Sequence, residues 1–253
     1  GCNRRNAVGR MGDLTRADGA TLAYARRDGT GPTIVFLPGF MSDMTGSKAL
    51  ALDAWAERTG RPCLRFDYAG CGASGGRFED QTLAGWLADA VLMIDSLTQG
   101  PVVLIGSSMG GWLMLHAALA RPDRVAGLIG IAAAPDYTDW GYTQDQKLEL
   151  LSNGRLELPS PYGTDPTVVT RAFWESGEAL RLLHASIAID CPVRLLHGQR
   201  DTDVPWHHST HLAAQLRSAD VQVILVKDGD HRLSREQDIG LLLRTTETLL
   251  ECL

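Results

Sequence analysis

The chain has 253 residues, 44% of them hydrophobic, enough for one α/β domain with a large buried core and too few for two independent enzymes. Twenty-four basic against 30 acidic residues give a net charge of −6 with no lysine or arginine block, the reverse of what a phosphate backbone selects, so nucleic acid is not an expected partner. Five cysteines, at 2, 63, 71, 191 and 252, are odd in number and lack C-x-x-C spacing, which points away from a disulfide framework or zinc site and towards a reducing compartment.

Nothing before residue 33 has the apolar core of a secretory signal. Gly1-Cys2-Asn3-Arg4-Arg5 reads as a processed end, with Met11 in place for a native start. A removed basic organelle-targeting peptide is the alternative; a lipid on Cys2 would need an upstream apolar segment that this stretch lacks. Thr21 to Arg26 and Thr33 to Leu37 read as strands, Ser47 to Arg58 as a helix, and Pro62 to Tyr68 as a strand. Leu83 to Leu97 follows as a helix, Pro101 to Ile105 as a strand, Met109 to Ala120 as a helix and Val125 to Ala133 as a short buried strand. Between Pro135 and about Ile189 the alternation is lost, and Tyr137, Trp140, Tyr142, Tyr162, Phe173 and Trp174 stand among Gly, Pro and charged residues. Such a stretch is too long for a simple connection and predicts an inserted cap with helices of its own, at Gln144 to Leu151 and Val168 to Leu183. Its aromatics form either a small core of the insertion, the commoner case, or an apolar acyl pocket. Strand Pro192 to Leu196, helix Pro205 to Leu216, strand Val221 to Val226 and helix Glu236 to Leu250 complete the alternation. Continuous apolar strands predict a parallel sheet covered on both faces.

Gly106-Ser107-Ser108-Met109-Gly110 joins a strand to a helix. A Gly-x-Ser-x-Gly turn in that setting strains the serine backbone and exposes its hydroxyl above the carboxyl end of a sheet, the placement of a nucleophile. The competing reading takes Gly106 and Gly110 as a small-xxx-small face of a membrane helix, because Pro101 to Ala120 carries no charge. It fails on the Gly-Ser-Ser interruption and on the soluble α/β pattern either side.

A serine hydroxyl needs a base, usually a histidine held by a carboxylate. Among seven histidines, His116 is about 12 Å along the helix from Ser108 and reads as packing. His207 and His211 have i, i+4 spacing on one helix but no third ligand, so a solvated face outweighs a metal site. His208 shares that helix, His184 lies in the cap, and His197 precedes a glycine at a strand end. His231 follows a strand through Lys227-Asp228-Gly229-Asp230, at the carboxyl edge where Ser108 sits. Asp201 follows the previous strand to the same edge, and Ser, Asp, His is the chain order of an α/β-hydrolase triad. Asp203 competes with it, although Val204-Pro205 behind it suggests a helix cap instead. The oxyanion donors expected of this architecture are the backbone N–H groups of Met109 and of Phe40, in Leu37-Pro38-Gly39-Phe40. The Gly-rich loop Phe66 to Gly75 matches no phosphate-binding pattern and reads as loop shaping, with Cys71 as a thiol lacking a base.

Phe36-Leu-Pro-Gly-Phe40, Arg65-Phe-Asp-Tyr68, Gly106 to Ala117, Arg194-Leu-Leu-His-Gly198, Val204-Pro-Trp206 and Asp230-His-Arg232 resemble the serine α/β-hydrolases. The likeness spans about residues 34 to 250, is weakest in the cap, and points to the branch of mitochondrial acyl-protein thioesterases also known as mycophenolic acid acyl-glucuronide esterases. It implies an α/β-hydrolase fold, one domain with a mostly parallel sheet, helices on both faces and a cap insertion at about 135–189. It selects Asp201 over Asp203 beside Ser108 and His231. It also implies hydrolysis of S-palmitoyl or similar acyl thioesters and of carboxyl esters, with a small-molecule ester or an acylated protein as substrate, no cofactor or metal, and no stable membrane insertion. Leu-Pro-Gly-Phe stands where His-Gly is frequent in the superfamily, which leaves the Phe40 donor less secure than Met109. The Ala, Arg and Gly usage has a bacterial flavour, implying a cytoplasmic location; a eukaryotic relative would belong in the mitochondrial matrix. C–C bond or peptide hydrolysis on the same triad, and a receptor with little turnover, are the competing functions.

Overall fold

The computed structural model describes residues 9–160 and 163–253; residues 1–8, with Cys2, and Pro161 and Tyr162 lie outside the described residues. Strands β1 (Arg10–Thr15), β2 (Thr21–Arg27), β3 (Thr33–Leu37), β4 (Cys63–Phe66), β5 (Val102–Ser107) and β6 (Val125–Ile131) form a sheet with β9 (Val193–Gly198) and β10 (Val221–Val226). The spatial order is β1-β2-β4-β3-β5-β6-β9-β10. The pairs β1/β2 and β2/β4 are antiparallel, and every pair from β4 to β10 is parallel. Helices α1 (Ser47–Thr59), α2 (Leu83–Leu97), α3 (Met109–Ala120), α7 (His207–Gln215) and α8 (Glu236–Glu251) cover it.

Alternation along β3 shows why these strands are apolar throughout. Ile34 and Phe36 face a core shared with Leu52 and Trp55 of α1 and Leu242 and Leu249 of α8. Val35 and Leu37 face the opposite core, with Trp86 of α2, Leu113 of α3 and Leu212 of α7. A strand buried on both faces has no polar side to show. Edge strand β1 carries no apolar signal in the sequence, because its six residues are exposed or only half-buried.

Between β6 and β9 lie α4 (Tyr137–Trp140), α5 (Gln144–Asn153), β7 (Arg155–Leu158), β8 (Thr167–Thr170) and α6 (Arg171–Ala179). Helix α5 starts at a Thr143/Gln146 capping box and ends at Gly154, whose backbone is left-handed. The helix expected over Val168 to Leu183 is corrected at both ends. Thr167-Val168-Val169-Thr170 is β-branched and pairs with β7 as a hairpin. The Thr170 hydroxyl accepts the Phe173 N–H and starts the helix there. At the other end the Leu182 and Leu183 N–H groups donate to the Asp136 carboxylate instead of continuing the helix (2.7 and 3.0 Å). The strand expected over Pro62 to Tyr68 is also shorter, Cys63–Phe66: the Asp67 N–H still bonds Ala23 O (3.0 Å), but from there the chain turns into a loop held by the Asp67 carboxylate.

Candidate active site

Ser108 sits between β5 and α3 with φ 53° and ψ −114°, a left-handed backbone that a non-glycine residue adopts only under constraint. Constraint comes from both sides of the turn. Its N–H donates to Ile131 O (2.9 Å) at the end of β6, and its carbonyl accepts from Gly111 and Ala134 (2.9 and 3.0 Å). A Cβ at Gly106 would overlap the Gly110 carbonyl, and one at Gly110 would overlap the Leu37 carbonyl. The two glycines therefore close the elbow onto itself and onto β3, in place of any helix–helix contact.

Met109 opens α3, so its N–H has no intrahelical acceptor. Leu37 to Phe40 runs past the serine: a Cβ on Gly39 would lie 3.5 Å from Ser108 Cβ. The buried Tyr68 hydroxyl donates to Pro38 O (2.8 Å) and holds this loop from below. The Phe66 to Gly75 segment is loop shaping: Asp67 accepts the Met44 and Ala73 N–H groups (2.8 and 2.9 Å), and Ser74 Oγ donates to Asp67 O. Burial pushes the Cys71 thiol up to about 12, which makes it inert near neutral pH.

Asp201 has a fully buried side chain (0% exposed) in the loop after β9. Its Oδ1 accepts the N–H groups of Asp203 and Val204 (both 2.9 Å), and its Oδ2 accepts His231 Nδ1 at 2.7 Å. Burial alone would raise this carboxyl; hydrogen bonds from His197, His231 and Val204 outweigh it and hold Asp201 well below the ordinary carboxylate range. Asp203 is exposed; its amide donates to Asp201 Oδ1, and its carboxylate accepts no hydrogen bond from His231. It caps no helix either, since α7 begins at His207 with Trp206 at the N-cap position. His231 stands in a loop fixed at two points: Leu233 N–H donates to Asp230 Oδ1 (2.9 Å), and Lys48 Nζ reaches across from α1 to Arg232 O (2.6 Å).

The other histidines are engaged elsewhere. His116 Nε2 bonds Leu180 O (2.7 Å), joining α3 to the segment after α6. His208 stacks on Trp140 at 3.9 Å, and His184, His208 and His211 line a groove of about 310 Å³. Among the described residues no third ligand joins His207 and His211. Asp201, Asp203 and His231 do bring one donor atom each within 4.8 Å of one another. The Asp201–His231 hydrogen bond already occupies two of the three, so the cluster reads as a carboxylate–imidazole pair.

His197 is the residue whose importance the sequence concealed. It is fully buried, and its Nε2 lies 2.8 Å from Val204 O and 3.2 Å from Asp201 Oδ2. Its i, i+4 spacing to Asp201 within His-Gly-Gln-Arg-Asp was the available signal. Aromatic residues of the 135–189 segment divide between two roles. Tyr137 packs with Trp140 and Tyr142 (5.0 and 5.6 Å) as a small core. Phe173 instead packs on Phe40 (5.6 Å) and Trp86 (5.5 Å) around a cavity of about 10 Å³.

A strained serine elbow and an aspartate–histidine pair at the carboxyl edge of a mostly parallel sheet define a class of protein. The chain belongs to the alpha/beta hydrolase fold family, whose model matches residues 32–161. It is 44% identical over 242 residues to human "Palmitoyl-protein thioesterase ABHD10, mitochondrial", covering 94% of this chain and 79% of that protein. Among solved structures, mouse alpha/beta hydrolase domain-containing protein 10 superposes with a TM-score of 0.89 at 40% identity, covering 96% of this chain and 99% of that one. A protein from Agrobacterium vitis S4 described as a hydrolase also reaches 0.89, at 38% identity over 95% of this chain and 98% of its own. Among the described residues, no helix is long and apolar enough to cross a membrane.

Proposed function

We propose that the chain is a serine esterase or thioesterase that works through an acyl-enzyme on Ser108. In this reading His231 takes the Ser108 proton as the hydroxyl attacks the acyl carbonyl, then returns it to the leaving alcohol or thiol; water repeats the cycle to release the acid. Asp201 holds the His231 tautomer that keeps Nε2 available for that proton. The N–H groups of Met109 and Phe40 donate to the oxygen as it becomes negative. The observation that carries the proposal is the left-handed Ser108 elbow at the same sheet edge as the 2.7 Å Asp201–His231 bond.

Kinship with palmitoyl-protein thioesterases favours acyl thioesters over plain esters, with an acylated protein or a small-molecule acyl ester, acyl glucuronides included, as substrate. The 135–189 segment acts as the cap, because it sets Phe173 against Phe40. A fluorophosphonate probe is expected to label wild type at Ser108 and not the Ser108→Ala variant. That variant is expected to lose turnover on the scale of ~10⁶ while folding normally. Wild-type turnover by Ser108→Ala would overturn the mechanism. kcat/KM on matched oxyesters and thioesters from acetyl to palmitoyl decides the substrate class.

A further inference from the structure

Two histidines converge on one carboxylate oxygen. His231 Nδ1 is 2.7 Å and His197 Nε2 is 3.2 Å from Asp201 Oδ2. The first belongs to the triad proposed above; the second has no part in it. His197 is at 0% exposure inside β9, so it meets no substrate. Its Nε2 faces two acceptors, Val204 O and Asp201 Oδ2, and must therefore carry the hydrogen. Its Nδ1 lies 2.6 Å from Ser209 Oγ, a hydroxyl also at 0% exposure, which donates to it. The ring is thus locked in one tautomer by a partner on α7, with its N–H bonded to Val204 O (2.8 Å) and the same nitrogen held 3.2 Å from the carboxylate oxygen.

We propose that His197 is a positioning residue of the reaction: oriented by Ser209, it shares the charge on Asp201 Oδ2 with His231 and sets how strongly that oxygen holds the catalytic imidazole. This rests on the Ser108–Asp201–His231 reading and deepens it. A carboxylate has a limited pull to divide among its donors. With His197 in place, Oδ2 is partly satisfied before His231 becomes an imidazolium. Without it, Oδ2 holds the imidazolium harder, so the base releases its proton less readily. The groups facing this pair are Asp201 and Ser209, with Asp203 within 4.8 Å on the His231 side and His208 nearby on α7.

The test is the pH profile of kcat/KM for four proteins: wild type, His197→Phe, His197→Gln and Ser209→Ala. In His197→Phe, kcat is expected to fall about ten- to a hundredfold with little change in KM, and the acid limb to move to higher pH. His197→Gln, whose side-chain amide N–H reaches towards the same oxygen, is expected to restore the limb and most of kcat. Ser209→Ala, a smaller change suited to the case in which the ring variants fail to fold, is expected to move the limb in the same direction by less. A purely structural role would lower Tm in all three variants and leave the limb in place. An unmoved limb in folded His197→Phe or in Ser209→Ala, or identical behaviour of the Phe and Gln variants, overturns the inference. If Ser108→Ala is inactive while His197→Phe keeps both kcat and limb, only this inference fails. If Ser108→Ala is active, the triad reading fails first.

Discussion

The serine elbow and the cap are held in opposite ways. At the elbow, backbone meets backbone: Ser108 is bonded to the ends of β6 and α3, and Gly106 and Gly110 leave no room for a single methyl. The 135–189 segment meets the body through side-chain anchors, among them Trp112 and His116 on Leu180 O, Ser176 Oγ accepting the Ala84 N–H and Phe173 on Phe40, and pairs by backbone at its exit, where the Ile187 N–H donates to Gln215 O and the Ser218 N–H to Ile189 O (both 2.8 Å). Backbone packing of the first kind tolerates one geometry only. Side-chain anchors can be exchanged without disturbing the sheet, so in the function proposed above substrate choice would fall to the part most open to change.

Perturbing the elbow side should cost most. Asp201→Asn is expected to lower kcat by about 10⁴-fold, the loss seen when a triad carboxylate no longer selects the tautomer, with Asp203→Asn close to wild type. Equal losses from both would mean that the two carboxylates share the role. Gly110→Ala is expected to cost about 3 kcal/mol in urea unfolding and to abolish activity, because the added carbon meets the Leu37 carbonyl and neither backbone can retreat. A stable, active Gly110→Ala protein would show that the elbow is less constrained than its contacts indicate.

Changes in the cap should read out in substrate preference. Phe173→Ala removes a ring packed on both Phe40 and Trp86; a loss near 3 kcal/mol is expected, with relative kcat/KM shifting towards longer acyl chains. An unchanged chain-length profile would assign the acyl group to another surface. Asp136→Ala strips two N–H groups of their acceptor and is expected to cost about 2 kcal/mol, raising KM for large substrates more than for acetyl esters.

The smallest effect concerns pH. Burial raises the Asp89 carboxyl from 3.8 to about 6, against the opposing pull of the Ala69 N–H and Arg16. The folded state therefore holds this proton more tightly than the unfolded state, so stability from this group is greatest below 3.8 and declines as pH rises towards about 6. Asp89→Asn is expected to flatten that part of the stability curve, and an unchanged slope would reassign it.

How much could be read in advance follows the same division. Strands β2 to β6, the elbow and the Asp201–His231 pair were legible because each rests on local rules: apolar runs where both faces are buried, glycine where backbones touch, and a polar loop after each strand at one edge. Strand β1 and the β7–β8 hairpin were not, since an exposed edge has no apolar signature and Val168 and Val169 suit helix or strand until a pairing partner is present.

By itself the amino-acid order determined the inner strands of the sheet, the Ser108 turn and the residues set along its carboxyl edge, because these follow from periodicity and from the few conformations open to glycine. Tertiary structure alone decided that His197 shares a carboxylate oxygen with His231, that Ser209 orients it, and that Phe173 leans on Phe40. Those contacts join elements distant in the chain, and each depends on an angle or a depth of burial that no spacing of letters encodes.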